Sequence, residues 1–421
     1  MTHRRLAIAS LVLALAGTAQ PAFAQAAPAS QPTFRWDDHP SIRFGGGTHI
    51  DLRARFSGDV RDSDVPLPDE EIGAFDIARR RIGVEGEIKN IFDFQVEREL
   101  ISGGDGWRDV FLNYKQFDYA QVIVGKFKLP FSLDENTSST NLDFANRSLA
   151  ASFLAPGRDI GVQVHGRVAK RVLRYELGVF EHDGRNARTN DTTRVTGGQT
   201  IAGRVRVEPF RHSKSPAREL EIGAAFTGSD VEEGIPGLRG RTVLDTAFFR
   251  PEYLVGGRRQ RRGIEAQWRP GPFSVKSEWI HVSNERLGLS VEDTNLSPIT
   301  STGWYVSGTW AITGETKASG LDRPKRPLPG GGFGAVEVAA RVERLEFKSD
   351  APGQAPSSSP RADAILGNAD RVLTLGANWY VNRWVKVQAN FIRESIENPA
   401  LGPLPSQPTF WSRVLRFQLS I

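Results

Sequence analysis

The 421-residue sequence contains no cysteine. An exported chain of that kind cannot depend on disulfides for its stability. Past its first residues it also lacks any apolar run near the ~20 residues that a membrane-spanning helix needs. Lysine is scarce: eleven lysines leave 43 of the 54 basic residues as arginine. Neither a Gly-rich phosphate loop nor a cluster with metal-ligand spacing is present, so no nucleotide or metal cofactor is expected. The formal net charge of +5 is modest and gives no case for nucleic acid as a partner. Low hydropathy and high charge, taken alone, describe a soluble secreted protein. The order of the residues describes something else.

The N-terminus reads as a signal peptide. Arg4 and Arg5 supply positive charge, Leu6 to Ala16 is almost wholly apolar, and Ala22-Phe23-Ala24 offers a small-x-small cleavage site. Cleavage is expected after Ala24, with residues 1–24 removed and the formal charge reduced from +5 to +3 by loss of the two arginines. Residues 25–40 are rich in Ala, Pro and Gln and read as a flexible lead-in; the folded unit is expected over 41–421.

From Ser41 the sequence takes a period of two. Ile42, Phe44, Ile50, Leu52, Ala54 and Phe56 fall on one face, while Arg43, His49, Asp51, Arg53 and Arg55 fall on the other. Strict alternation marks a strand with one apolar and one polar face. The pattern recurs to the end of the chain. Ile82, Val84 and Ile88 alternate with Arg79, Arg81, Glu85 and Glu87; Val385, Val387, Ala389 and Phe391 alternate with Lys386, Gln388 and Asn390. About sixteen such strands are countable. Short turns at 89–90, 116–118, 169–170, 270–272 and 382–383 alternate with long polar loops at 57–73, 128–157, 183–198, 229–258, 285–299, 348–370 and 397–409. The Pro/Gly-rich stretch 314–332 falls where a short turn belongs. An even strand number, apolar-out and polar-in alternation, and unequal connections describe a transmembrane antiparallel β-barrel of the outer membrane. Closure leaves no unpaired edge, as the bilayer requires. Tyr114, Tyr119, Trp268, Trp279, Trp304, Trp310, Trp379, Trp384 and Trp411 are candidates for interfacial girdles, since a closed barrel of this size is expected to hold no apolar core for them. The chain stops within a strand, at Ile421, which fits pairing of the first strand with the last.

The longest break in the pattern lies between Gly125 and Val164. About thirty residues there show neither a strand nor a helix period, and loops of that length in a compact fold are usually functional. This third outer loop is expected to fold into the lumen and narrow it.

Three runs around that loop carry a resemblance: Gly125-Lys126-Phe127-Lys128-Leu129-Pro130-Phe131-Ser132-Leu133-Asp134, Asn146-Arg147-Ser148-Leu149 and Arg158-Asp159-Ile160-Gly161-Val162. Together with Arg79-Arg80-Arg81-Ile82-Gly83-Val84-Glu85-Gly86 and Arg262-Gly263-Ile264-Glu265-Ala266-Gln267-Trp268, they resemble the phosphate-selective porin O/P family, from about residue 40 to the C-terminus. The resemblance implies a sixteen-stranded barrel in the outer membrane of a Gram-negative cell, reached through the Sec pathway. It also implies assembly as a homotrimer in contact with outer-membrane lipid, and pore-lining arginines and lysines that draw inorganic phosphate or other small anions through. Two features depart from the pattern. Such barrels commonly end in phenylalanine, whereas this chain ends in Ile421. The polar faces also carry many acids, among them Asp51, Glu85, Glu87, Asp93, Glu97, Asp109, Glu176, Glu337 and Glu343.

A pore selects anions by placing cations where the ion must shed water, and arginine suits phosphate because its fork binds two oxygens at once. Candidates need lumen parity and a place near mid-strand or on the inserted loop. Arg53, Arg55, Arg79 and Arg81 qualify on the first two strands, Lys126 and Lys128 at the loop entrance, Arg147 and Arg158 on or just after the loop, and Arg204 and Arg206 on the wall. Each could instead close a salt bridge with a facing acid. Asp134 and Glu135 could pin the loop to the basic wall or take part in ion selection. His49 beside Asp51 hints at a barrel hydrolase, but no serine can be placed with them from the sequence. A porin for sugars or organic acids and a plugged barrel serving as enzyme or adhesin remain the alternatives. Gly45-Gly46-Gly47 reads as part of the first strand, permitting curvature or close subunit packing.

Overall fold

The computed structural model describes residues 31–36, 38–67, 75–100, 106–187, 197–249, 253–319, 321, 323–402 and 407–421. The signal peptide expected over 1–24 lies outside the described residues. Strands run β1 (Thr33–Trp36), β2 (Pro40–Gly45), β3 (Thr48–Ser63), β4 (Phe75–Ile88), β5 (Phe92–Glu99), β6 (Trp107–Phe117), β7 (Ala120–Lys128), β8 (Arg158–Val168), β9 (Leu173–Phe180), β10 (Thr200–Val207), β11 (Leu220–Pro236), β12 (Gly240–Arg241), β13 (Ala247–Phe249), β14 (Leu254–Trp268), β15 (Phe273–Arg286), β16 (Leu296–Ala311), β17 (Ala335–Ser349), β18 (Asn368–Tyr380), β19 (Val385–Ile396) and β20 (Thr409–Ser420). Two short helices, α1 (Leu133–Asn136) and α2 (Leu149–Leu154), lie between β7 and β8.

Sixteen strands, β3 to β11 and β14 to β20, pair antiparallel with their neighbours, and β20 returns to β3 in register from Ser412↔Ser63 to Ser420↔Arg55. The sheet is therefore closed. An ion pair reinforces the seam on the lumen face, where Arg416 donates from Nε and Nη2 to the two oxygens of Asp59, both at 2.6 Å.

Burial is inverted relative to a water-soluble domain. Leu52, Ile82, Ile160, Leu177, Ile264, Leu375 and Phe391 are exposed on the outer wall, whereas Arg259, Arg261 and Arg286 rank among the largest fully buried side chains. Apolar atoms facing outward on every strand need an apolar solvent, and closed barrels are one of the two architectures that a bilayer accepts. No helix among the described residues is long and apolar enough to cross a membrane. Tyr114, Tyr119, Trp268, Trp279, Trp304, Trp310 and Trp411 are exposed on the same wall. Trp379 and Trp384 instead donate their indole N–H groups to the carbonyls of Phe333 and Asp38.

Three local readings need correction. The triple glycine is a hairpin turn between β2 and β3, with φ of 79°, 57° and 74°, a left-handed conformation that glycine adopts without steric cost. The alternation of side chains continues through the turn, which hid it in the sequence. Part of the stretch read as a lead-in is also structured, since β1 pairs with β2. Finally, the lumen does hold an apolar core. Phe131, Leu149, Ala150 and Leu154 of the inserted loop pack with Leu238, Leu244, Phe248 and Phe249 from the loop before β14, and with Ile280, Val282 and Phe347 of the wall.

Candidate functional site

The segment between β7 and β8 is buried along most of its length and bonds to lumen-facing residues of the wall from β14 to β20. Acidic side chains of the wall accept from its backbone: Leu133 N–H donates to Glu278 at 3.0 Å and Leu149 N–H to Glu343 at 2.6 Å. Cationic and amide side chains donate to its carbonyls: Lys386 to Leu142 at 2.6 Å, Asn378 to Asp143 at 2.8 Å and Arg261 to Leu154 at 2.6 Å. Backbone that forms no sheet or long helix must find partners once buried, and the charged lumen wall supplies them. Serines cap both helices. Ser132 Oγ accepts from Glu135 N–H and Ser148 Oγ from Ala151 N–H.

Held against one side, the segment leaves a gap on the other, along β3 to β8. A cavity of about 340 Å³ occupies it, walled by Arg55, Arg79, Arg81, Arg108, Lys128, Arg147, Arg158 and Arg185 with Asp109 and Glu135. Toward the outer loops it adjoins a cavity of about 300 Å³ through Arg79 and Arg147, which line both. Toward the periplasmic turns it adjoins one of about 410 Å³ through Arg55 and Ser138. The three make a path down the lumen with basic residues throughout: Arg61 above, and Arg53, Arg383 and Lys386 below.

The acids are unevenly distributed along it. Arg81 meets Glu99 at 2.5 Å and Glu97 at 3.3 Å, Arg55 meets Glu97 at 3.2 Å, and Arg108 meets Glu99 at 3.3 Å. Three guanidiniums thus share two carboxylates. Arg158 holds Asp109 through two bonds of 3.1 and 2.7 Å. Arg147 and Arg185 lie 3.5 and 3.6 Å from Glu135. Around the central cavity eight cations face four carboxylates (Glu97, Glu99, Asp109 and Glu135), a formal excess of four positive charges. Arg79 stands apart: no carboxylate lies within 4.0 Å among the described residues, and its buried Nη1 has no hydrogen-bond partner there.

The other sequence candidates are placed as follows. Arg53 pairs with Glu85 at 2.9 Å beside His39. Lys128 donates to the carbonyls of Glu135 at 2.5 Å and Thr137 at 3.2 Å. Lys126 aligns with Val110 and with the outward-facing Ile160, in the column of wall residues rather than at the cavity. Arg204 bonds Glu265 at 3.0 and 2.5 Å, and Arg206 bonds Glu176 at 2.7 Å, on the far side of the inserted segment. Arg108, Arg185 and Arg416 enter the site without having been singled out. Their positions at a strand start, on the next outer loop and at the closing seam are set by the closed sheet, and no local pattern marks them.

Asp134 and Glu135 tie the segment to itself and to the neighbouring loop rather than to the wall. Asp134 accepts from Ser148 N–H at 2.7 Å, and Glu135 faces Arg147 and Arg185. Burial raises the Glu135 carboxyl, but Arg185, Arg147 and Lys128 outweigh it and bring it down to about 2. A depressed carboxylate stabilises the fold above its ordinary value of 4.5, and that contribution is lost as pH falls toward 2. Open-channel noise should therefore increase as pH falls through this window, as protonation releases Arg147 and Arg185. Glu135→Gln should be noisy throughout and show no such step; an unchanged pH profile in that variant would remove Glu135 from the anchoring role.

His49 and His39 lie 3.4 and 3.3 Å from Asp51. Ser41 joins them, but its hydroxyl donates to Asp51 at 2.5 Å and not to a histidine. A nucleophile needs a base at its proton, and that contact is missing from the arrangement described.

Comparisons with known proteins agree with this architecture. Residues 50–401 match the family described as phosphate-selective porin O and P. An uncharacterised protein of Caulobacter vibrioides is 26% identical over 345 residues, which cover 76% of this chain and 66% of that protein. Porin O of Pseudomonas aeruginosa is 27% identical over 135 residues, covering 31% of this chain and 28% of its own. The chain thus spans less than two thirds of the length of these curated relatives. In fold it is similar to an anion-selective porin from Comamonas acidovorans, with a TM-score of 0.55 at 10% identity over 89% of this chain and 100% of the other. The strand count, the inverted burial and the family match lead to one conclusion: this chain is an outer-membrane β-barrel that belongs to the phosphate-selective porin O and P family.

Proposed function

We propose that the chain is a diffusion channel selective for small anions, inorganic phosphate among them, and that the path along β3 to β8 is the route taken. The observation that carries this reading is Arg79, a cation with no carboxylate within 4.0 Å among the described residues, which lines both the outer and the central cavity of a path already in positive excess. An unpaired guanidinium offers two parallel donors to an oxyanion that has lost part of its water. The paired arginines around it replace more of that water while their acids keep binding weak enough for release. Arg147 crosses from the inserted segment and lines the path opposite Arg79, donating to the carbonyls of Asp134 and Thr137, so its position is fixed by the fold. Support for phosphate in particular comes from the family and from arginine chemistry. Export by the signal at 1–24 and assembly as a homotrimer in outer-membrane lipid belong to the same proposal.

Single-channel recording in planar bilayers tests it. Chloride current should be carried by anions and should fall, with saturation, as inorganic phosphate is added. Weakly selective current that phosphate leaves unchanged would favour a porin for sugars or organic acids, and absence of current would favour a plugged barrel.

A further inference from the structure

A second basic cavity lies on the other side of the inserted segment. Its volume is about 680 Å³, within the ~300–1,000 Å³ range of small-molecule sites. It shares Asn136 and Ser138 of that segment with the central cavity of the path, and Ser138, Asn141 and Tyr380 with the cavity below it, but no cation lines it together with either. Its cations fall into two groups. Arg204 and Arg206 are neutralised by Glu265 and Glu176, and Lys276 and Lys317 share Asp143 at 2.6 and 2.9 Å. Arg174 and Arg269 have no ion pair and no hydrogen bond among the described residues, and Nε of Arg269 is buried. Both arginines lie at the periplasmic ends of the wall, Arg174 at the start of β9 and Arg269 one residue past β14.

Two free guanidiniums in a compartment this wide, beside hydroxyl and amide groups of Thr137, Ser138 and Gln267, suit an anion larger than a single phosphate. On its outer side the compartment is bounded by the Arg204–Glu265 pair and by Leu133, whose N–H is held by Glu278. We propose that it is a periplasm-side binding site, beside the conducting path and sharing none of its cations, for a polyanion with two or more oxyanionic groups, either phosphoryl or carboxylate. Such an anion spans Arg174 and Arg269, one group on each, with the hydroxyls satisfying the remaining oxygens. The site rests on the channel reading only in that it shares the lumen with the path.

Isothermal titration of the purified full-length protein with inorganic tripolyphosphate, and separately with citrate, is the test. At least one of the two should bind, and the pair of titrations shows which chemistry is preferred. Arg174→Gln/Arg269→Gln should weaken that binding at least tenfold and leave phosphate-blocked chloride current unchanged. Because neither arginine bonds to the rest of the fold, the variant should keep the heat-modifiable mobility of the folded barrel; Arg174→Lys/Arg269→Lys, retaining charge but losing the fork, should bind with intermediate affinity. Equal binding by wild type and the glutamine variant, or absence of binding by wild type, would overturn the inference. So would loss of chloride current together with binding, which would make the cavity part of the path. Titration does not depend on ion selectivity, so failure of the channel reading would be seen separately in the bilayer.

Discussion

Arg79→Glu should lower the ratio of anion to cation permeability by an order of magnitude or more, and should abolish phosphate block. The residue lines both the outer and the central cavity of the path and has no carboxylate within 4.0 Å among the described residues. Substitution therefore changes the charge seen by a passing ion by two units without breaking an ion pair. One unit charge at roughly 8 Å is worth about 2 kcal/mol at an effective dielectric constant of about 20. Salt screens part of this, yet the remainder exceeds what a tenfold change in selectivity needs. Arg204→Glu offers the contrast. Arg204 is already neutralised by Glu265 on the far side of the inserted segment, so its reversal should act on folding, by placing two acids together, more than on selectivity. If both reversals shift the reversal potential alike, the path along β3 to β8 is not the route.

The second large effect concerns stability. Asp183→Asn should destabilise the barrel by about 3–5 kcal/mol, the usual cost of leaving buried charge without its partner. Asp183 sits on the loop after β9 and accepts from Arg259 at 2.7 Å, from Arg261 at 2.5 and 2.8 Å, and from Ser229 at 3.0 Å. Arg259 and Arg261 are 1% and 0% exposed, so water cannot replace the lost carboxylate. Arg261 also donates to Leu154 O at the end of α2, so the loss should spread to the inserted segment. Burial raises the Asp183 carboxyl, but Arg261 and Arg259 outweigh it and hold it below its ordinary 3.8. Its contribution is thus present above that value and lost as pH falls below it. Urea unfolding from lipid vesicles measures the change; a midpoint equal to that of wild type would mean that the two arginines find other partners.

Strand identity was legible because each strand carries its own signal. Alternation such as Val385, Val387 and Ala389 against Lys386, Gln388 and Asn390 needs no knowledge of the neighbours. The closed sheet, the outward apolar wall and the insertion of the third outer loop follow from sixteen repetitions of that signal and one long interruption. The site was legible only in part, because charge balance is a property of pairs. Arg79 and Arg204 have the same parity and the same setting in sequence. They differ because Glu265, 61 residues from Arg204, reaches it across two strand pairings, while no carboxylate among the described residues comes within 4.0 Å of Arg79. The stretch 314–332 illustrates the same limit. Its Pro/Gly content announces a loop, but nothing in it announces that Lys317 enters the lumen to meet Asp143 of the inserted segment, a contact that joins two connections from opposite ends of the barrel.

The central claim is that the open path is cationic and therefore passes anions. The zero-current potential of single wild-type channels across a potassium chloride gradient measures this directly. A potential of the sign and size set by chloride, moved toward that set by potassium in Arg79→Glu, is the predicted result. A potential at or beyond zero on the potassium side in the wild-type channel would contradict the account.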